Sequence, residues 1–236
     1  MLKKYFVKNK KTISGRTINL NNILKREIEG IKFLDSVKIS RVVTPKIVKI
    51  NNSNLWYTQE YYSLIPFNNF LLLNSNFFYL NTDIEKIFYD FGVYLARLHN
   101  KKIRIHGDLN QKNILFCKNK IFICDPSYLK KRIYSKPTFD IFRVINNFYP
   151  YNLIARLFIC NKDKLITFFL KGYFSTSKNK IKQYNLKKDM IFYLKSITSL
   201  MGKGIKDKLK YLLIKLLNKK MISDIKNNRL RWLNEI

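Results

Sequence analysis

Cysteine, acidic residues and long apolar runs are all scarce in this chain of 236 residues, and each scarcity closes off a class of function. The three cysteines, Cys117, Cys124 and Cys160, are an odd number with no close C-x-x-C spacing. Neither a disulfide framework nor a zinc site follows from such a set, and a reducing, cytoplasmic setting is the expectation. Apolar stretches such as "FLLLNSNFFYL" are broken by polar residues well before membrane-spanning length. The start, "MLKKYFVKNKK", is basic but lacks the apolar segment of a signal peptide. A soluble chain is expected.

Only 15 acidic residues face 46 Lys and Arg, which leaves a formal charge of +31. Such an excess suggests nucleic acid, but here the basic residues are scattered along the whole chain, whereas a nucleic-acid footprint clusters on one face. The abundance of Lys, Asn, Ile, Phe and Tyr is what AT-rich coding produces without any partner. The charge therefore reads first as compositional, with an anionic substrate, RNA or a membrane surface as the rivals. An apolar content of 47% with 15% aromatics argues against disorder, and the length suffices for one large domain or two small lobes.

The N-terminal part reads as a strand, "KYFVK", a helix over "NNILKREIEGIKFL", and two further strands, "KIVKI" and "LWYTQEYY", joined by an Asn-rich turn. From Thr82 the pattern turns helical. Thr82 and Glu85 have capping-box spacing, and Ile84, Ile87, Phe88, Phe91, Leu95 and Leu98 form one stripe ending near His99. "ILFC" and "IFIC" flank Lys118–Lys120 as a hairpin. After Asp140 the chain reads as helical almost to its end. The division is a sheet-rich lobe over residues 1–65 and a larger helical lobe over 66–236, in one domain.

Chemistry concentrates in "HGDLNQKNILF", residues 106–116, and in the following "CKNKIFICDPSY". Asn113 opens the first hairpin strand and Asp125 follows the second, so closing the turn brings them to one edge, beside Asp108. Two carboxylates and an amide oxygen there suit Mg²⁺ with phosphate, and an aspartate free of metal can accept a hydroxyl proton. The group points to phosphoryl transfer. The bland alternatives are an Asx turn for Asp108 and Asn113 and an ordinary turn residue for Asp125. His106 reads as a hydrogen-bonding residue of the loop rather than a proton carrier, and His99 as a packing residue.

H-x-D-L-x-x-x-N followed by a strand pair and an Asp resembles the catalytic and metal-binding segments of the protein-kinase-like superfamily. "HGD" and "CDPS" look most like its aminoglycoside-phosphotransferase and sugar (lipopolysaccharide-type) kinase branch. "FGVYLARLHN" and "KPTFDIFRVI" resemble the flanking helices, with Asp140 as a buried anchor. The resemblance spans about residues 5–148, its specific part being 106–125. It implies an α+β, two-lobed fold with an abbreviated N-terminal sheet lobe and a mainly helical C-terminal lobe. It also implies Asp108 as catalytic base, and Asn113 and Asp125 holding Mg²⁺ against the phosphates of ATP.

At helical spacing Glu27 falls within the apolar stripe of Leu24, Ile28, Ile31 and Leu34, whereas Glu29 lies opposite. A buried charge needs a partner, and Lys8 on the preceding strand is the natural one, with Lys10 or Lys11 as substitutes. A snorkelling Glu27 is the plain alternative. The Lys8–Glu27 pair resembles the family's phosphate-positioning ion pair. "TQEYY" resembles its adenine-holding linker, which puts Glu60 and Tyr61 near the nucleotide; an edge strand accounts for it equally well. Too few residues precede Lys8 for the usual Gly-rich loop, and Gly15 stands alone on the wrong side. Either the start of the chain is missing or ATP binds under an abbreviated lid.

Gly107 where protein kinases carry Arg, the missing D-F-G and the missing A-P-E imply a small-molecule or saccharide acceptor, lipid-linked acceptors included. A protein Ser/Thr kinase-like enzyme is the runner-up, and a degenerate kinase-like binding protein the non-enzymatic rival. The C-terminal stripe Ile205, Leu209, Leu212, Leu213, Leu216 and Leu217, with lysines opposite, reads as a core-packing helix, and secondarily as a contact with an anionic membrane surface.

Overall fold

The computed structural model describes residues 2–6, 20–53, 56–60, 62, 64–67, 69–71, 82–101, 105–126, 136–149, 161–178, 183–202 and 208–235. The first half holds β1 (Leu2–Phe6), α1 (Leu20–Asp35), β2 (Val42–Val43), β3 (Ile47–Asn51), β4 (Trp56–Glu60), β5 (Ile65–Pro66) and α2 (Thr82–Asn100). Then follow β6 (Ile114–Cys117), β7 (Lys120–Ile123), α3 (Pro137–Asn147), α4 (Lys162–Thr176), α5 (Gln183–Gly202), α6 (Lys208–Lys226) and α7 (Arg231–Asn234). The class is mixed α+β, with helix predominating.

The apolar spacing of α1 sets its orientation. Leu24 and Ile31 are buried against Tyr57 of β4, with Ile28 and Ile47 packed around them. That face covers a small antiparallel sheet of order β1-β4-β3. Leu34, one turn further on, belongs to the main core, where the Tyr94 hydroxyl donates to its carbonyl at 2.9 Å. One helix thus ties the small sheet to the body of the protein.

The second sheet has the order β2-β7-β6-β5. Its centre is the expected hairpin, in register from Ile114↔Ile123 to Cys117↔Lys120 around a turn at Lys118 and Asn119. Two short strands flank it: β2 runs parallel to β7, and β5 antiparallel to β6. Alternation along β6 sends Ile114 and Phe116 inward, and Ile121, Phe122 and Ile123 of β7 are buried as well. Phe116 stacks on Phe70 at 3.9 Å between ring centroids and meets Phe67 at 5.7 Å. Burying such a side chain contributes about 1.5–3 kcal/mol, so apolar packing holds the hairpin whatever its polar ends do.

The stripe expected for α2 is the buried one: Ile87, Phe88, Phe91, Leu95 and Leu98 all lie in the core. Its close partner is α4, and the closeness depends on two glycines. A methyl group on Gly92 would lie 2.0 Å from the Phe169 carbonyl oxygen, and one on Gly172 would lie 2.0 Å from that of Tyr89. The backbones touch where any side chain would separate them.

The Glu85 carboxylate of α2 pairs with Lys164 of α4 at 2.5 Å. The Thr82 side chain of the expected capping box lies outside the described residues. One local expectation, the stripe of α6, differs in part from the structure. In α6 the buried positions are Ile214, Asn218, Met221 and Ile225, while Leu212 and Leu216 are exposed. Of the expected stripe, Leu213 and Leu217 are half-buried while Leu212 and Leu216 face outward, so the buried face of α6 is rotated from the expected one. The buried face carries Asn218 together with Ile214, Met221 and Ile225, and the Asn218 amide donates to the Thr198 hydroxyl of α5 at 2.7 Å. Ile205 and Leu209 of that stripe lie outside the described side chains.

Candidate active site

Asp140 organises the loop that carries "HGD". The "KPTFD" stretch sets it in the first turn of α3, with Pro137 supplying the helical φ at the start. Its carboxylate is fully buried and accepts the backbone N–H of His106 at 2.6 Å and of Gly107 at 2.9 Å. His99 Nε2 stands 3.1 Å from the same group. The other ring nitrogen of His99 lies 2.9 Å from the Tyr173 hydroxyl; a neutral His99 that gives Nε2–H to the carboxylate accepts a hydrogen bond from the phenol at Nδ1. A buried carboxylate is tolerated only when its oxygens are satisfied; here the loop and α2 satisfy them, and α4 contributes through the Tyr173 bond to His99. His99 is thus a support of Asp140 rather than a packing residue.

The chain leaves His106 through Gly107 at φ 80°, a conformation that costs glycine little and other residues about 1–2 kcal/mol. His106 is buried. Its Nδ1 accepts the N–H of Asp108 at 3.3 Å, and its Nε2 donates to the Cys124 carbonyl at 2.9 Å. Burial pushes this imidazole below its usual pKa, against the opposing pull of the Asp140 and then the Asp108 and Asp125 carboxylates. With its burial favouring the neutral form, it links the Asp108 loop to the end of the hairpin.

Asp108 is partly exposed and held from two sides. Arg143 Nη2 donates to Oδ1 at 2.8 Å, and Asn113 Nδ2 donates to the Asp108 carbonyl at 2.8 Å and to Oδ2 at 3.3 Å. Arg143 was not among the residues singled out from the sequence. Its signal was present: it stands three residues after Asp140 in "DIFRVI", on the same helical face. Its Nε is buried without a hydrogen-bond partner among the described residues.

The hairpin brings the remaining groups to this edge. Cys124 donates its N–H to the Asn113 carbonyl at 3.0 Å, so the ladder continues one pair past β6 and β7, and Asp125 is the next residue. Because Asn113 commits its amide nitrogen to Asp108, its side-chain oxygen is the atom left for a cation. Asp125 is exposed at φ 50°, immediately before Pro126. Proline pushes its predecessor toward extended backbone, so a left-handed aspartate there is strained, and strain of this kind collects at functional sites. Among the described residues no group of three or more His, Cys, Asp or Glu side chains could hold a metal ion. One carboxylate and one amide oxygen instead fit Mg²⁺ that arrives with phosphate oxygens and water.

The nucleotide-side residues divide. Glu27 is half-buried on the α1 face that packs on the small sheet, and Glu29 is exposed. Lys8 and Tyr61 lie outside the described residues. Glu60 is occupied: its carboxylate accepts the Lys46 N–H at 3.1 Å and the Tyr62 hydroxyl at 3.0 Å, and its own N–H bonds the Lys46 carbonyl. Tyr62, which the sequence reading passed over, lies against Phe122 of the hairpin at 4.6 Å between centroids. Neither a scan against protein-family models nor a search of curated proteins finds a match to the chain.

Proposed function

We propose that the chain is an ATP- and Mg²⁺-dependent phosphotransferase of the protein-kinase-like kind, moving the γ-phosphoryl group to a hydroxyl of a small molecule or saccharide. The observation that carries this reading is the double hydrogen bond from the His106 and Gly107 amides to buried Asp140. It fixes a loop whose next residue, Asp108, stands beside Asn113 and close to the end of the hairpin.

In this reading Asp140 immobilises the loop, and Arg143 and Asn113 hold the Asp108 carboxylate in one orientation. Asp108 takes the proton of the acceptor hydroxyl as the new oxygen–phosphorus bond forms and the bond to the leaving diphosphate breaks. Asn113 and Asp125 would hold Mg²⁺, which when bound neutralises charge on the phosphates. Charge-assisted positioning of this kind accounts for most of what a protein contributes to phosphoryl transfer.

The test is transfer of label from γ-labelled ATP to a panel of saccharides, aminoglycosides, lipid-linked saccharides and a generic protein substrate. Mg²⁺-dependent labelling of a saccharide or small molecule is expected. Labelling of the protein substrate alone would make the chain a protein kinase instead. Absence of both labelling and Mg²⁺-dependent ATP binding would overturn the reading.

A further inference from the structure

The outward face of α6 is built for something other than the core. Leu212 is 52% exposed and Leu216 is 55% exposed, one helical turn apart, and neither is a position that α5 covers. At about 100° per residue, Lys215, Lys219 and Lys220 fall on either side of that leucine pair, and all three are exposed. The acid of this helix is Asp224, which is half-buried and away from the leucines. Two large aliphatic side chains bracketed by cations make an amphipathic surface whose polar part carries one sign of charge.

We infer that this face of α6 binds the surface of an anionic phospholipid bilayer. The leucines insert at the level of the headgroups while the lysines reach phosphate groups on either side. Charge decides between occupants. A second copy of a chain with a formal charge of +31 would bring lysines against lysines, so self-association through this face is disfavoured. A nucleic acid would satisfy the lysines but leave the exposed leucines without an apolar partner. An anionic bilayer satisfies both. None of the described helices is long and apolar enough to cross a membrane, so the contact is peripheral. The inference does not depend on phosphoryl transfer and stands or falls separately from it.

The experiment is flotation of the full chain with vesicles of phosphatidylcholine alone and of phosphatidylcholine mixed with phosphatidylglycerol. Binding is expected with the mixed vesicles and should weaken as salt is raised. The double variant Leu212→Ser/Leu216→Ser should bind about tenfold more weakly, since each leucine contributes burial of several methyl and methylene groups. Lys215→Glu and Lys219→Glu should each weaken binding by about fivefold or more. All of these positions are exposed, so the melting temperature should stay at the wild-type value. Val48→Ser, which removes an apolar side chain 53% exposed on β3, serves as a control and should leave binding unchanged. Undiminished flotation of the double serine variant would overturn the inference. So would equal binding to the neutral vesicles, or a dimer that the serine variant dissociates.

Discussion

Arg143 Nη2 lies 2.8 Å from Asp108 Oδ1, so a guanidinium carried by α3 holds the carboxylate proposed as the catalytic base. The same helix carries Asp140, which holds the two preceding amides of the loop. One turn of α3 therefore positions the loop and shares with Asn113 the hold on the Asp108 carboxylate. If Arg143 orients the base, Arg143→Ala should lower kcat by about 10²-fold while KM for ATP changes little, because the arginine meets the carboxylate rather than the nucleotide. Arg143→Lys should recover part of the loss. An unchanged kcat, or a loss confined to KM, would assign the arginine elsewhere.

Asp108 and Asp140 should separate function from stability. Asp108→Asn should retain a wild-type melting temperature and ATP binding while turnover falls by about 10²–10⁴-fold, the range of a positioned general base. Asp140→Ala strands two buried amides and His99 and should cost about 3 kcal/mol or more in denaturant unfolding. Near-native turnover in Asp108→Asn would remove its assigned role.

His106 gives a pH dependence with a definite sign. Its folded pKa lies below that of the unfolded chain, so the unfolded state takes up the proton more readily. The contribution to stability is complete above about 6.5 and is lost as the pH falls toward the folded value. Melting temperature should drop on acidification from about pH 7.5 to about pH 5.5, and drop less in His106→Gln, which keeps a donor toward the Cys124 carbonyl. An equal drop in both proteins would contradict a neutral, buried His106.

The contact of α2 with α4 predicts an unusually intolerant glycine. Gly92→Ala puts a methyl group 2.0 Å from a backbone oxygen that cannot rotate away, and should cost about 3 kcal/mol or more. For a chain of this size that lowers the melting temperature by about 10 °C. Because His99 and Tyr173 sit on the same two helices, the loss should extend to the loop held by Asp140.

The hairpin was readable because two short apolar runs flank a tight turn, and a period of two can close in one way only. The stripe of α2 was readable because its apolar residues repeat at helical spacing and its other faces are polar. In α6 both leucines and lysines repeat at helical spacing, so periodicity gave a stripe but not its burial; the face that is buried carries Ile214, Met221 and Ile225 with the polar Asn218, which bonds Thr198 of α5. Val42–Val43 and Ile65–Pro66 are too short to show alternation, and only pairing with β7 and β6 makes them strands. His99 was mistaken for packing because a histidine at a helix end carries no mark of the tyrosine and aspartate that approach it from distant segments. Arg143 was one helical step from a residue already singled out. Gly107, taken as a sign of acceptor class, has a backbone reason of its own in its positive φ.

The strained Asp125 offers the most direct measurement. Asp125→Gly removes the carboxylate proposed to hold Mg²⁺ and at the same time relieves the left-handed backbone before Pro126. The glycine variant should therefore melt no lower than the wild type in the absence of ligand. Thermal shift with ATP, with and without Mg²⁺, should then show a Mg²⁺-dependent stabilisation in the wild type and none in Asp125→Gly. A Mg²⁺-dependent shift that persists at full size in Asp125→Gly would place the metal elsewhere and contradict the phosphotransferase account.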